Sequence, residues 1–352
     1  MPDFLFVRSP DLDRRWPYST DQALTRLSDL GEVSVINNDV RTPLHEQRDL
    51  SNVNGLIYFD GGPELTSASI AAAPRLRMVG AVSDNAGLGM PLEAMFARDI
   101  PFIDGTRGWA QSVSEIALAL ALASLRRIPW WHRRMATETP ETVWQYEADQ
   151  FCDDKRFVNG TLGSKRVGIV GLGQIGRRVA SWCSTMGAEV LGYDPFLPSD
   201  AAHEFGAELR ELDRIAEEVD ILFVTVPPTP SARHIVSRDR VDSLKKGAIV
   251  VVVTRAHGID MEALRKRVYA DEIMGAFDVY DIEPIPADDP LRDRDNVIHL
   301  PHIAGRTRDS NVEAIDIIVD DFARLLRGEA PVAKVTREMV DIRLHRKDVP
   351  AE

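Results

Sequence analysis

The chain has 352 residues, of which 44% are hydrophobic and 28% charged, and its formal net charge is −13. The length favours two domains, and the composition is that of an ordinary soluble protein. The negative charge argues against binding to nucleic acid or to an anionic membrane surface, because both require a basic protein surface. The two cysteines, Cys152 and Cys183, have no metal-ligand spacing, so no metal site is predicted and a reducing compartment is favoured.

The N-terminal segment lacks the basic region and long apolar stretch of a secretory signal. The longest apolar runs, in residues 116–125 and 248–253, are too short to cross a membrane. We therefore expect a cytoplasmic protein without a membrane segment.

Short apolar runs alternate with helical stretches along the chain, which is typical of a parallel α/β sheet covered on both faces. The first series of predicted strands comprises residues 4–7, 33–36, 55–58, 78–81 and 101–103. A buried helix is predicted at 112–127, and an irregular polar stretch at 137–163. The second series of predicted strands comprises residues 165–170, 189–193, 221–226, 248–253, 275–277 and 297–300. A long helix is predicted at 309–327, capped by Gly328, and the charged tail from Lys334 is expected to pack loosely.

A glycine-rich turn follows the first strand of the second series. Gly171, Gly173 and Gly176 have the spacing Gly-x-Gly-x-x-Gly between the apolar residues 167–170 and a predicted helix at 177–186. The first glycine permits a tight turn, the second lets the backbone approach a pyrophosphate, and the third lets helix and strand pack closely. The pyrophosphate then meets the positive end of the helix. Glycine-rich turns also occur without a nucleotide, so the spacing alone is not specific.

The next predicted strand ends at Asp194, where a carboxylate can bind both ribose hydroxyls and would repel a 2′-phosphate. Strand, glycines, helix and acid are in register, so we predict a site for NAD rather than NADP. Gln174 and Ile175, inside the turn, are predicted to belong to this site. Because the turn lies in mid-chain, another domain is expected to precede the cofactor domain.

Three residues with the chemistry of 2-oxo acid reduction follow strands in the second half of the chain. Such a reaction needs a cation for the substrate carboxylate, an acid/base for the hydroxyl proton, and a carboxylate that orients the base. Arg255, His302 and Glu283 offer these functions in that order, each near the end of a predicted strand, where open α/β sheets bind ligands. Taken singly, an arginine after a strand is usually on the surface and a lone histidine is usually structural.

The order of these motifs resembles the D-isomer-specific 2-hydroxyacid dehydrogenases, the family of D-lactate, glycerate, phosphoglycerate and formate dehydrogenases. The resemblance covers nearly all of residues 1–330. Besides the glycine turn, it is carried by residues 83–85 (Ser-Asp-Asn), 111–115 (Gln-Ser-Val-Ser-Glu), 226–234 (Val-Pro-Pro-Thr-Pro-Ser-Ala-Arg-His), 254–260 (Thr-Arg-Ala-His-Gly-Ile-Asp), 278–284 (Asp-Val-Tyr-Asp-Ile-Glu-Pro) and 301–304 (Pro-His-Ile-Ala).

The resemblance implies a role for each matched residue. Arg255 is the substrate-binding arginine, His302 the acid/base and Glu283 its partner. Asp278 falls where the family contacts the nicotinamide carboxamide. The implied cofactor-binding set is completed by Thr225, Val226, Pro227 and Thr254.

The resemblance also implies an α/β architecture with two Rossmann-like domains, each built on a doubly wound parallel sheet. An NAD-binding domain of residues 110–302 would be inserted into a discontinuous, flavodoxin-like substrate domain of residues 1–109 and 303–352. The active site would lie in the cleft, which closes by hinge motion. A homodimer is implied through the helix at 112–127 and the arm after it, where Trp130 and Trp131 suit an interface or a core equally.

Two segments depart from the family's pattern near the implied substrate site. The loop that binds the substrate carboxylate normally reads Gly-x-Gly, and it aligns here with Gly80, Ala81 and Val82. After Arg255, the family's two glycines are replaced by Ala256 and His257.

A further departure concerns the distal end of the substrate. Arg107 and Trp109 replace a typical glycine and asparagine, and Phe59 and Asp60 stand where phosphoglycerate enzymes carry a phosphate-binding arginine. Phe59 and Trp109 would offer apolar surface, while Asp60 would repel a distal anion. A neutral, modestly bulky 2-oxo acid is therefore favoured over a phosphorylated one, unless Arg107 turns inward.

Other functions stay open at this stage. Alanine dehydrogenase and adenosylhomocysteinase share the two-domain plan but lack the order of Arg255, Glu283 and His302. Corepressors of the C-terminal binding protein type share the fold and can retain all three residues, so an NAD-sensing protein is an alternative. Within the enzymes, glyoxylate/hydroxypyruvate reductase and phosphoglycerate dehydrogenase are the alternatives.

Overall fold

The computed structural model describes residues 1–59, 61–82, 89–144, 151 and 154–344. Its contacts divide the chain into two compact units. Among the described residues, unit 1 comprises Met1–Ala110 and the chain from Arg306 to residue 344, and unit 2 comprises Gln111–Gly305. The predicted domain limits at 109 and 302 fall one and three residues before these limits.

The strands of the described residues form two sheets, and neighbouring strands in each sheet are parallel. Unit 1 contains β1 (Asp3–Arg8), β2 (Glu32–Asn37), β3 (Val53–Phe59), β4 (Met78–Val82) and β5 (Phe102–Asp104). Unit 2 contains β6 (Arg166–Val170), β7 (Glu189–Tyr193), β8 (Glu208–Leu209), β9 (Ile221–Val224), β10 (Ile249–Val252), β11 (Met274–Phe277) and β12 (Val297–His299). The predicted strands all exist, with ends shifted by one or two residues.

The α-helices connect these strands. In chain order they are α1 (Leu12–Arg15), α2 (Ser19–Ser28), α3 (Leu44–Gln47), α4 (Ser67–Ala71), α5 (Leu92–Phe96), α6 (Ala110–Leu125), α7 (Ile128–Thr137), α8 (Pro140–Val143), α9 (Gly176–Thr185), α10 (Ser199–His203), α11 (Leu212–Glu218), α12 (Arg238–Ser243), α13 (Met261–Tyr269), α14 (Arg308–Leu326) and α15 (Arg337–Arg343). The long helix predicted at 309–327 is α14, and Gly328 after it has φ +78°, the left-handed conformation of a helix C-cap.

The strand orders confirm the predicted fold class. The sheet of unit 1 has the order β2–β1–β3–β4–β5, which is the flavodoxin-like arrangement. The sheet of unit 2 has the order β12–β11–β10–β9–β6–β7–β8, in which the direction of winding reverses between β6 and β9. Open sheets of this kind bind ligands at that switch point, beyond the carboxyl ends of the strands.

Burial explains why the central strands of unit 2 are continuous apolar runs rather than alternating ones. Every residue of β9, β10 and β11 is buried, because helices cover both faces of a parallel sheet. The segment Gly105–Leu125, which includes α6, is long and apolar enough to cross a membrane, but 56% of its most apolar window is buried inside the fold, as in a core helix.

The expectation that the chain packs loosely from Lys334 onward is wrong up to residue 344. Val335 and Val340 are buried in the core of unit 1, and the Val335 N–H donates to the Phe102 carbonyl over 2.9 Å. The Thr336 hydroxyl caps α15. Charged residues are interspersed among the apolar ones in this short segment, so no period was recognised in the sequence. Residues 345–352 lie outside the described part of the chain.

Gly80, Ala81 and Val82 lie inside β4 and are buried, so they do not form the carboxylate-binding loop that was predicted there. A Cβ atom on Gly80 would lie 2.2 Å from Cγ2 of Ile318, which belongs to α14. The glycine is thus required by the packing of a helix on the sheet.

We predict that Gly80→Ala lowers the stability of the protein by about 1–3 kcal/mol, because the added methyl overpacks the contact with Ile318. Urea unfolding measures the change. Gly89→Ala is the control, since nothing lies within 4 Å of a Cβ at Gly89. Equal stability of the two variants would contradict the packing role of Gly80.

Candidate active site

Each of the three glycines in the turn after β6 has a different structural role. Gly171 has φ +91°, a conformation that favours glycine. A Cβ on Gly176 would lie 2.0 Å from the Gly171 carbonyl oxygen, so α9 packs against the turn only without a side chain there. A Cβ on Gly173 would meet nothing within 4 Å, so this position is open. Space at the second glycine and close packing at the third fit a bound dinucleotide pyrophosphate.

Asp194 and Thr225 hold this turn in place. The Asp194 carboxylate accepts hydrogen bonds from the N–H of Leu172 over 2.9 Å and from the N–H of Phe196 over 3.0 Å. The Thr225 hydroxyl donates to the Gly171 carbonyl over 2.7 Å. Both residues predicted to bind cofactor therefore also shape the glycine turn.

The other predicted cofactor residues surround the same turn. Gln174 is exposed and Ile175 half-buried before α9, while Val226 is buried and Pro227 exposed after β9. The Thr254 hydroxyl donates to the Val226 carbonyl over 2.9 Å and so ties the end of β10 to the chain after β9.

Glu283 and His302 form the predicted pair. Their side chains meet with 2.7 Å between the His302 Nδ1 and a Glu283 carboxylate oxygen, and both are about one-third exposed. The other Glu283 oxygen accepts from the Tyr280 N–H over 2.9 Å. The carboxylate is thus held at both oxygens, and the Nε2 atom of His302 points away from this bond.

Arg255 follows β10, as predicted, and starts a short 3-10 segment at Ala256–Gly258. Its Nη1 donates to the Thr254 carbonyl over 2.8 Å. Arg255 lines a cavity of about 450 Å³ together with Arg233, His257 and Tyr280. This is a suitable size for a small organic acid.

His257 is a residue of this cavity to which the sequence assigned no role. Burial lowers the pKa of His257, and the charges of Arg255 and Arg233 act in the same direction. A neutral imidazole therefore stands beside the arginine proposed to bind substrate. The only signal in the sequence was that His257 replaces a glycine of the family.

Asp278 has a structural role that sequence reasoning missed. It is fully buried, and its two carboxylate oxygens accept from the N–H groups of Ile303 over 2.8 Å and Ala304 over 3.0 Å. Its main-chain carbonyl accepts from the His302 N–H over 2.9 Å. His302 has φ +53°, so Asp278 anchors a turn in which the histidine is left-handed. Contact of Asp278 with the nicotinamide stays a prediction.

The residues of unit 1 that were predicted to bind substrate make contacts within unit 1. Phe59 is buried in the core, with its ring 5.8 Å from that of Phe6, so the prediction that it offers surface to a substrate is wrong. Trp109 stacks on Trp16 at 4.7 Å. Arg107 donates to the Val332 carbonyl over 3.3 Å. The predicted contributions of Asp60 and of the motif at 83–85 lie outside the described residues.

Other reactive groups are sparse in the described part of the chain. Burial raises the pKa of the Cys183 thiol to about 12, so this cysteine is not a nucleophile at neutral pH. Among the described residues, no three His, Cys, Asp or Glu side chains converge as metal ligands.

Comparisons with known proteins identify the type of unit 2. Residues 118–304, more than half of the chain, match the family model described as "D-isomer specific 2-hydroxyacid dehydrogenase, NAD binding domain". The chain is 31% identical to a D-3-phosphoglycerate dehydrogenase of Methanocaldococcus jannaschii over 88% of its own length and 56% of that protein. It therefore spans about half the length of that relative. It is 29% identical to a glyoxylate reductase of Korarchaeum cryptofilum over 77% of its length and 80% of that protein.

A solved structure supports the fold over nearly the whole chain. A phosphoglycerate oxidoreductase from Rhizobium etli matches with a TM-score of 0.80 and 25% identity, covering 96% of this chain and 99% of that one.

We predict that Asp278→Asn speeds amide hydrogen exchange at Ile303 and Ala304 and lowers stability by about 1–3 kcal/mol, because an amide nitrogen then faces a backbone donor. Exchange followed by NMR measures the first effect and urea unfolding the second. Asp239→Asn, at an exposed position, is the control. Unchanged exchange at both amides would show that Asp278 does not anchor the turn.

Proposed function

The chain belongs to the D-isomer-specific 2-hydroxyacid dehydrogenase family, and we propose that it is an NAD-dependent enzyme that transfers a hydride at C2 of a small 2-hydroxy or 2-oxo acid. The observation that carries this proposal is the hydrogen bond between His302 and Glu283 in the same unit as the glycine turn. A carboxylate bound to Nδ1 leaves Nε2 to exchange a proton with the substrate.

The proposed roles follow from this geometry. The glycine turn after β6 and Asp194 would hold NAD, which would supply or accept the hydride. Arg255 holds the substrate carboxylate with its planar fork. In the direction of reduction, the Nε2–H of protonated His302 donates a proton to the carbonyl oxygen of the substrate. Glu283 fixes the ring of His302, and Asp278 holds the backbone of His302.

We also propose that the enzyme is cytoplasmic and works as a homodimer. The free, buried thiol of Cys183 fits a reducing compartment and supports the first. Helix α7 supports the second, because Ile128 and Met135 are large apolar side chains that are about half exposed. Trp130 lies in the same helix between the guanidinium groups of Arg127 and Arg134. Exposed apolar surface of this kind is typical of an interface.

For the substrate, we propose a chemical class rather than one compound. The relatives carry the names of a phosphoglycerate dehydrogenase and a glyoxylate reductase. The expectation of a neutral side chain loses Phe59, which is buried, and Trp109, which stacks on Trp16, and keeps the net charge of −13 as its support. We propose a small 2-oxo acid and rank neutral side chains before phosphorylated ones.

The test is reduction of a panel of 2-oxo acids with NADH, followed by NADH absorbance. The panel includes glyoxylate, hydroxypyruvate, 3-phosphohydroxypyruvate and neutral branched acids. We expect turnover of at least one of them, and His302→Ala should lower kcat by about 10²–10⁴-fold, because a positioned acid/base is lost. NADH binding should be unchanged. His203→Ala, at an exposed histidine, is the control. Turnover that survives His302→Ala would refute the assignment, and no turnover of any acid would favour an NAD-sensing protein.

We propose that Asp194 makes the enzyme prefer NADH to NADPH, because its carboxylate would face the added phosphate. Asp194→Ala should narrow the ratio of the two dissociation constants. Asp194→Asn is the matched variant, since it removes the charge and keeps an acceptor for the Leu172 N–H. Fluorescence titration with both cofactors measures the ratio. A preference of the wild type for NADPH would contradict the role of Asp194.

A further inference from the structure

A half-buried histidine, His299, and a buried tyrosine, Tyr280, form a chain of hydrogen bonds next to the proposed acid/base pair. The His299 Nε2 lies 2.9 Å from the Leu291 carbonyl oxygen, which can only accept, so Nε2 carries a hydrogen. Burial lowers the pKa of His299, so the ring is neutral at neutral pH and its Nδ1 is an acceptor. The Tyr280 hydroxyl, 3.0 Å from Nδ1, therefore donates to it.

The tyrosine of this pair is joined to Glu283 through its own backbone. The Tyr280 N–H donates to one Glu283 oxygen over 2.9 Å, and the other oxygen bonds to His302. The Tyr280 ring is held between Phe277, at 6.2 Å and 78°, and His299, at 6.1 Å and 17°. The hydroxyl that contacts His299 and the N–H that holds Glu283 thus belong to the same residue.

The far end of the chain of bonds is anchored as well. Leu291 lies in the 3-10 segment Pro290–Asp293, and its N–H donates to Asp289 over 2.9 Å. Asp289 is ion-paired to Arg265 over 2.6 Å. The pair therefore connects a fixed segment to the carboxylate of the proposed site.

We propose that Tyr280 and His299 are positioning residues, which hold Glu283 in the orientation that serves His302. This inference rests on the proposed function. Glu283 is about one-third exposed, so water competes for its oxygens and its orientation depends on the donors that hold it. A misplacement of about 1 Å at a reacting group costs up to about 10²-fold in rate, so a small shift of this carboxylate is measurable.

A double-mutant cycle on kcat tests the proposal in the full-length enzyme. Tyr280→Phe removes the hydroxyl and keeps the ring. We expect it to lower kcat by about 3–30-fold while NADH binding stays nearly unchanged. In the Glu283→Gln background, the same change should cost less than about twofold, because the tyrosine acts through the glutamate. Equal losses in both backgrounds would overturn the proposal and leave a purely structural pair.

Further variants separate positioning from folding. Tyr18→Phe removes an exposed hydroxyl in unit 1 and should leave kcat unchanged. Tyr280→Phe combined with His299→Leu removes both polar partners. This double change destabilises the protein less than a single change that leaves one partner unpaired. We expect this double variant to fold and still to show the lower kcat. Recovery of the wild-type kcat in it would contradict a need for the hydrogen bond.

Amide hydrogen exchange at residue 280 gives a readout that needs no turnover. Exchange should become faster in Tyr280→Phe and in His299→Leu, and stay unchanged in Tyr18→Phe. If the wild type turns over no 2-oxo acid, the proposed function fails, whatever the exchange shows. If turnover depends on His302 but exchange at residue 280 is unaltered in Tyr280→Phe, only the positioning role fails.

Discussion

The site of unit 2 depends on one buried carboxylate. Asp278 stands directly after β11, and three consecutive N–H groups, those of residues 302, 303 and 304, bond to its three oxygens. Burial without these donors would cost the carboxylate several kcal/mol, so the turn and the acid stabilise each other. His302 is held in a left-handed conformation, which a non-glycine residue keeps only where its surroundings determine it.

The residues of the proposed site follow three neighbouring strands of the sheet. Because β10, β11 and β12 are parallel and in register, their carboxyl ends meet at one edge of the sheet. Arg255 follows the first strand, Glu283 follows the second and His302 follows the third. The order of three adjacent strands is therefore enough to bring these three residues to one edge of the sheet. Hydrogen bonds with the chain after β11 then fix both members of the acid/base pair.

The parts of the fold that could be predicted were those with a local signature. The glycine turn could be recognised because each glycine has a reason within a few residues, and the buried strands because parallel sheets need continuous apolar runs. The predicted strand at residues 78–81 already placed Gly80 and Ala81 in β4, and only its extension to Val82 was missed, because a run of buried residues has no period that shows where the strand ends. Phe59 and Val335 were misjudged for the related reason that their burial depends on packing partners far away in the chain.

The proposed acid/base residues differ from the residues beside Arg255 in how far a sequence motif indicates their role. Asp278, Glu283 and His302 are held mainly by backbone donors and acceptors, so their geometry follows once the sheet has formed. His257 beside Arg255, whose imidazole forms backbone hydrogen bonds with Thr229 and Pro227, sits at a position where this chain departs from the family pattern. A neutral imidazole there can donate or accept one hydrogen bond, which a glycine cannot. We therefore expect substrate choice in the proposed enzyme to depend on residues such as His257, at which the chain departs from the family pattern.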